Sequence, residues 1–131
     1  MTALDTNILA RYLRDDDAVQ SKRSAHFIQR AVRQNDPLYI NHIVLCELVW
    51  ILSSVYDHHK DEIISMIETL LLTGQFQLED KRVIELALDD YRKTRAEFPD
   101  CLIGRRNQAA GCGSTSTFDR RLKTIDAFQV V

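Results

Sequence analysis

The sequence predicts an α/β protein, a three-layer α/β/α sandwich around a mostly parallel sheet, formed by a single domain over residues 1–131. Three observations predict it. Short apolar runs alternate with segments of helical period, the pattern of strands joined by crossover helices. The chain has 131 residues, the length of one domain, and can bury roughly two-thirds of its unfolded surface without disulfides or a structural metal. Its composition, 45% hydrophobic and 27% charged, is ordinary for a globular protein and excludes a disordered or collagen-like chain.

The elements follow in order. Ala3-Leu4 is a short apolar start and reads as a first strand, cut off by Asp5-Thr6-Asn7. Those are helix-capping residues, and Ile8, Leu9, Tyr12 and Leu13 follow at helical spacing. Asp5 is therefore expected where a strand hands over to a helix. Asp15-Asp16-Asp17 caps a second helix over residues 17–34, with an apolar stripe at Ala18, Ala25, Ile28 and Val32. Asn35-Asp36-Pro37 is a turn, and Leu38-Tyr39-Ile40 a second strand. Residues 42–56 are nearly all apolar and predict a largely buried helix, with Trp50 in the core. Asp57-His58-His59 breaks it. Ile63, Ile64, Ile67, Leu70 and Leu71 form the face of a fourth helix ended by Thr73-Gly74. Phe76-Gln77-Leu78 alternates like a strand. Residues 81–95 return to helical period through Val83, Ala87, Leu88 and Tyr91. Phe98-Pro99-Asp100 is a break and a cap before a helix to about residue 110. Residues 111–118 are strand-like, Asp119 follows them, and residues 128–131 read as a last edge strand.

Several classes are excluded or disfavoured. Seventeen Lys and Arg against nineteen Asp and Glu give a formal charge of −2, so nucleic-acid binding has to come from a local basic patch. Residues 38–56 are the longest nearly uncharged stretch, but a membrane span needs about 20 mostly apolar residues and no unpaired glutamate. The start has no basic segment of a signal peptide. Three cysteines, Cys46, Cys101 and Cys112, show no C-x-x-C spacing and read as reduced, buried thiols of a cytoplasmic protein.

Four acids stand out. Asp5, Asp100 and Asp119 fall at junctions leading into helices, and Glu47 lies one to two turns into the apolar helix after strand two. In parallel sheets ligands bind beyond the carboxyl ends of strands, so these four are candidates for one cluster. Like charges about 4 Å apart repel by around 4 kcal/mol at an effective dielectric near 20. Such a group persists through raised pKa values or a bound cation. An all-oxygen set suits Mg²⁺ or Mn²⁺, and a metal held this way activates water against a phosphodiester. The competing readings are an N-cap for each aspartate and a buried salt bridge for Glu47.

Taken together, Asp5-Thr6-Asn7, Leu45-Cys46-Glu47-Leu48, Phe98-Pro99-Asp100-Cys101-Leu102-Ile103 and Thr117-Phe118-Asp119 resemble the motifs of the PIN-domain family, and within it the VapC-type toxins of toxin–antitoxin pairs. The resemblance runs over essentially the whole chain. It implies a PIN-like fold and a metal-dependent endoribonuclease, using Mg²⁺ or Mn²⁺ and held inactive by an antitoxin. It implies that Asp5 and Asp100 are principal metal ligands, with Glu47 and Asp119 completing the set. Thr6 and Asn7 match residues that buttress the first aspartate or reach the phosphate, Thr117 a hydrogen bonder behind Asp119, and Glu97 an additional acid. Residues 111–116 depart from the family, whose strand there is usually aliphatic. The implied reaction is in-line attack of a metal-activated water that displaces a 3′-oxygen.

Phosphate contacts supply most RNA affinity, and Arg11, Arg14, Arg105, Arg106, Arg120, Arg121 and Lys123 are the candidates. His58-His59 reads as an exposed loop with no third metal ligand. His26 and His42 read as helix-surface or junction histidines. The apolar excess of residues 63–72 suggests a groove near residues 8–13 and 50–72 for the antitoxin, and the family often forms homodimers. Two alternatives remain: a catalytically inactive PIN-like module binding RNA or protein, and a metal-dependent phosphatase or DNA nuclease.

Overall fold

The computed structural model describes residues 1–14 and 18–131. The chain divides into two compact units, Met1–Glu79 and Asp80–Val131. The cap expected at Asp15-Asp16-Asp17 lies outside the described residues.

The first unit runs β1 (Thr2–Ala3), α1 (Thr6–Leu13), α2 (Ala18–Arg33), β2 (Leu38–Ile40), α3 (His42–Ser54), α4 (Lys60–Leu72) and β3 (Phe76–Leu78). Its sheet has the order β1-β2-β3 and is parallel throughout, with Thr2 opposite Leu38 and Leu38 opposite Phe76. Parallel neighbours need crossover connections, supplied by α1 and α2 and then by α3 and α4. Leu9, Leu38, Leu45, Leu48, Leu52, Ile67 and Leu70 are completely shielded from solvent. The Asn41 side chain accepts from the Val44 N–H at 2.8 Å and starts α3. The next residue, His42, is buried at the junction: its backbone N–H donates to Glu79 Oε1 at 2.9 Å, and its ring Nε2 lies 2.8 Å from the Glu79 carbonyl oxygen. That pair ties the end of β3 to the start of α3, a junction role for this histidine.

The second unit runs α5 (Lys81–Lys93), α6 (Phe98–Ala109), β4 (Thr115–Thr117), a 3-10 turn (Arg120–Leu122) and β5 (Phe128–Val130). β4 and β5 pair in parallel, Thr115 opposite Phe128. The chain enters α5 through Asp80 in the left-handed region (φ 37°), where its side chain caps the Val83 N–H at 3.4 Å, a conformation Asp tolerates better than most residues. Tyr91 of α5 meets Phe98 of α6 edge to face at 5.8 Å. Gly104 lets α6 close on β5, since a β-carbon there would lie 2.4 Å from the Phe128 ring.

The α/β class and parallel pairing are as expected, and several details are corrected. β1 is Thr2–Ala3, one residue earlier than the Ala3-Leu4 reading. The α2 stripe is rotated: Ser21, Ser24, Ile28 and Ala31 are buried, while Ala18 and Val32 are exposed. Trp50 is not core; it is 62% exposed, as is Ile43 at 70%. Because α3 is apolar almost all round, its period carries little information about which side faces water. Asp100 is not before α6 but in its first turn, with Pro99 beside it and Glu97 at the N-cap. Of residues 111–118 only Thr115–Thr117 pair as a strand. Of the cysteines only Cys101 is buried, Cys46 being intermediate and Cys112 exposed. Among the described residues no helix is long and apolar enough to cross a membrane.

Candidate active site

In the first unit, Asp5 sits where β1 hands over to α1. It is the N-cap of α1, and its Oδ1 accepts the Thr6 N–H at 2.7 Å. The buried Thr6 hydroxyl donates to Glu47 Oε2 at 2.7 Å. Asp5 and Glu47 are both exposed. The expectation of a buried Glu47 is thus corrected: the carboxylate stands on the same wet face of α3 as Ile43 and Trp50, and no salt bridge neutralises it among the described residues. Asn7 is exposed at the head of a groove between α1 and α2 lined by Ile8, Arg11, Gln20, Arg23 and Phe27. Residues 8 and 11 of the expected antitoxin groove line it, and none of residues 50–72 does.

Arg11 and Arg14 are engaged within this unit. Arg11 donates to Gln20 Oε1 at 2.9 Å and to the Tyr56 hydroxyl at 3.3 Å. The Arg14 guanidinium lies 4.6 Å above the Tyr56 ring and contacts His58 Nε2 at 2.9 Å. An arginine can only donate, so Nε2 accepts and the ring proton sits on Nδ1, facing Glu62 Oε2 at 3.1 Å. His58 is accordingly not the exposed loop residue expected: its side chain is only 10% exposed.

In the second unit, Asp119 caps the 3-10 turn. Its backbone N–H donates to Thr117 Oγ1 at 3.0 Å, so Thr117 braces the turn as a hydrogen bonder behind the acid. Arg121 then folds back on it. Nε donates to Asp119 Oδ1 at 3.0 Å and Oδ2 at 3.1 Å, Nη2 donates to Oδ2 at 2.7 Å, and the Arg121 backbone N–H donates to Oδ1 at 2.9 Å. The same guanidinium approaches Asp100 Oδ2 at 3.8 Å and Glu97 Oε1 at 3.8 Å. Its hydrogen bonds hold the Asp119 carboxyl below the usual carboxylate range, and Asp119 in turn raises Arg121. Glu97, Asp100 and Asp119 are thus brought to one point, and the cation they gather on is a side chain of the protein. Among the described residues no group of three or more His, Cys, Asp or Glu is arranged to hold a metal ion. The donor set is all carboxylate, the oxygen chemistry that a hard divalent cation takes.

The remaining arginines differ in role. Arg105 donates from Nε to Asp90 Oδ2 at 2.7 Å and from Nη2 to Oδ1 at 2.9 Å, a two-pronged pair with a carboxylate that is 9% exposed. Its guanidinium holds α6 to α5. Arg106 and Arg120 are exposed. Sequence reasoning assigned Arg121 to RNA and missed its grip on the acids. The available signal was the two-residue spacing from a capping aspartate. It also passed over Phe118, which is 86% exposed between Thr117 and Asp119. Strand alternation from Ser116 outward could have found it.

Comparison with known proteins follows the same outline. The family model described as PIN domain matches residues 2–127. A VapC ribonuclease of Aquifex aeolicus (strain VF5) is 27% identical over 125 residues, covering 95% of this chain and 92% of that protein.

Proposed function

The chain belongs to the PIN domain family, and on that premise we propose that it is a metal-dependent endoribonuclease, the toxin of a toxin–antitoxin pair. The observation that carries the proposal is the likeness to a VapC ribonuclease along 95% of the chain. Residues 1–131 are read as one catalytic domain, because the family model spans both units. Asp5 and Glu47 in the first unit and Asp100 and Asp119 in the second are assigned as the acids that hold Mg²⁺ or Mn²⁺, with Glu97 as an additional acid. A bound divalent ion supplies a water of lowered pKa and neutralises charge on the phosphate.

The chain's own residues prepare that chemistry. The Thr6 hydroxyl fixes one Glu47 oxygen and leaves the other free. Thr117 fixes the backbone of Asp119. Asn7 stands beside Asp5, exposed, and is assigned to the substrate phosphate. Arg106 and Arg120 offer exposed cations to the RNA backbone. Phe118 offers an exposed ring on which an unpaired base can stack. A cytoplasmic setting, a cognate antitoxin and a homodimer complete the reading.

The test is cleavage of a mixed RNA pool by antitoxin-free protein with Mg²⁺, Mn²⁺ or EDTA, beside Asp100→Asn. Discrete products that need the metal and vanish in the variant are expected. Absence of cleavage at every metal concentration would replace the nuclease with an inactive binding module. Cleavage of DNA or phosphomonoesters in preference to RNA would move the substrate class.

A further inference from the structure

Arg121 is in contact with three of the acids around the second unit's site. It engages both oxygens of Asp119 through three N–H···O contacts of 2.7–3.1 Å. It reaches Asp100 and Glu97 only at 3.8 Å. The side chain is 45% exposed and Asp119 27%. The arrangement is therefore a wet, reversible ion pair and not a buried structural one such as Arg105–Asp90. A carboxylate whose two oxygens are both occupied by a fork of N–H donors has few lone pairs left for a metal. A guanidinium and a divalent cation also repel each other at the same carboxylates.

We propose that Arg121 is an internal counter-ion which a divalent metal must displace from Asp119, so that metal binding sets its guanidinium free beside the site. This inference rests on the metal-dependent reading above. It assigns Arg121 a role in two states. Without metal it neutralises the acids and keeps Glu97, Asp100 and Asp119 together. Once displaced, its backbone stays anchored in the 3-10 turn two residues after Asp119, and its planar fork matches a phosphate group. The cation that guarded the acids becomes a positioning residue for the RNA backbone. The ion pair is exposed, so the competition is modest, and a metal carries twice the charge of the group it displaces.

Two measurements without RNA test this. Mn²⁺ binding is measured by calorimetry for the wild type and for Arg121→Gln. The variant is expected to bind about two- to fivefold more tightly, in keeping with an exposed ion pair. In the wild type, the Arg121 Nε–H resonance is followed by NMR while Mg²⁺ is added, which needs no variant to fold. It is expected to leave its carboxylate-bonded position and exchange faster with solvent as the metal saturates. Metal binding with an unmoved Nε–H signal, or an affinity unchanged or weakened in Arg121→Gln, would overturn the inference and leave the nuclease reading standing. No binding to either protein at millimolar metal would overturn both.

Discussion

The Thr6 hydroxyl donates to Glu47 at 2.7 Å across 41 residues of sequence. It joins the first turn of α1, where Asp5 is the cap, to the second turn of α3. Thr6 is buried and Glu47 exposed, so the bond runs from the core outward and holds one oxygen of the carboxylate in place. Hydrogen bonds to charged groups are worth about 1.5–3 kcal/mol, and loss of a partner behind a metal ligand typically costs 10–100-fold in affinity or activity.

Thr6→Val keeps the shape of the side chain and removes the donor. Its expected result is a thermal midpoint lowered by roughly 5–10 °C with the fold retained, together with Mn²⁺ affinity weaker by about tenfold. Thr6→Ser restores the affinity. A calorimetric titration reads the effect, and unchanged affinity in Thr6→Val would remove Thr6 from the site.

Arg105 and Asp90 form a structural pair. Asp90 is buried, and the Arg105 fork is its charge partner. Arg105→Ala leaves that carboxylate uncompensated and is expected to cost about 2–4 kcal/mol in urea unfolding, near the range for broken buried pairs. Asp90→Asn is milder, because the amide keeps one acceptor. If Arg105→Ala unfolds normally and only weakens RNA binding, the arginine belongs to the RNA surface instead.

Gly104 sits one helical turn after Asp100 on α6, and its α-carbon faces the Phe128 ring. Gly104→Ala places a methyl group 2.4 Å from that ring, so the helix or the strand has to shift. Overpacking of this kind costs about 1–3 kcal/mol, set against the small helix-propensity gain of alanine. Thermal unfolding is expected to show a lower midpoint, partly recovered by Phe128→Leu. A midpoint equal to or above wild type would mean that the ring moves freely.

Glu62 governs a pH dependence at the start of α4. It accepts the His59 backbone N–H at 3.1 Å and faces His58 Nδ1 at 3.1 Å. The backbone hydrogen bond first, and His58 second, hold its carboxyl below the ordinary range. Its folded pKa lies below its unfolded one, so the stabilisation is complete above the unfolded value and fades as pH falls through the folded value. The acid limb of the stability curve is expected to flatten in Glu62→Gln, with the neutral-pH stability lowered towards it. Parallel acid limbs for the two proteins would show that the carboxylate contributes nothing.

Local signals in the sequence suffice for the order of the elements and for the junctions at Asp5 and Asp119. Capping residues, short apolar runs and helical periods are local signals, and local backbone preference is strong at Asp5-Thr6-Asn7 and at Asp119, both of which begin helical turns. The buried face of α5 was legible for the same reason, since Val83, Ala87, Leu88 and Tyr91 recur on one side, whereas α4 carries apolar residues off its core face, with Leu72 86% exposed. Tertiary structure decided what these groups touch. Residues 42–56 are apolar on nearly every side, so no periodic signal placed Glu47 and Trp50 in water. Five arginines with similar neighbours acquired different duties: Arg105 closes on the buried Asp90, Arg121 on Asp119, Arg11 and Arg14 on Tyr56, and Arg120 stays exposed. A guanidinium has a long reach and five donors, and its partner is chosen by which acceptor the packing of distant segments brings within 3 Å. That choice is made by contacts between residues far apart in the chain, which no local pattern records.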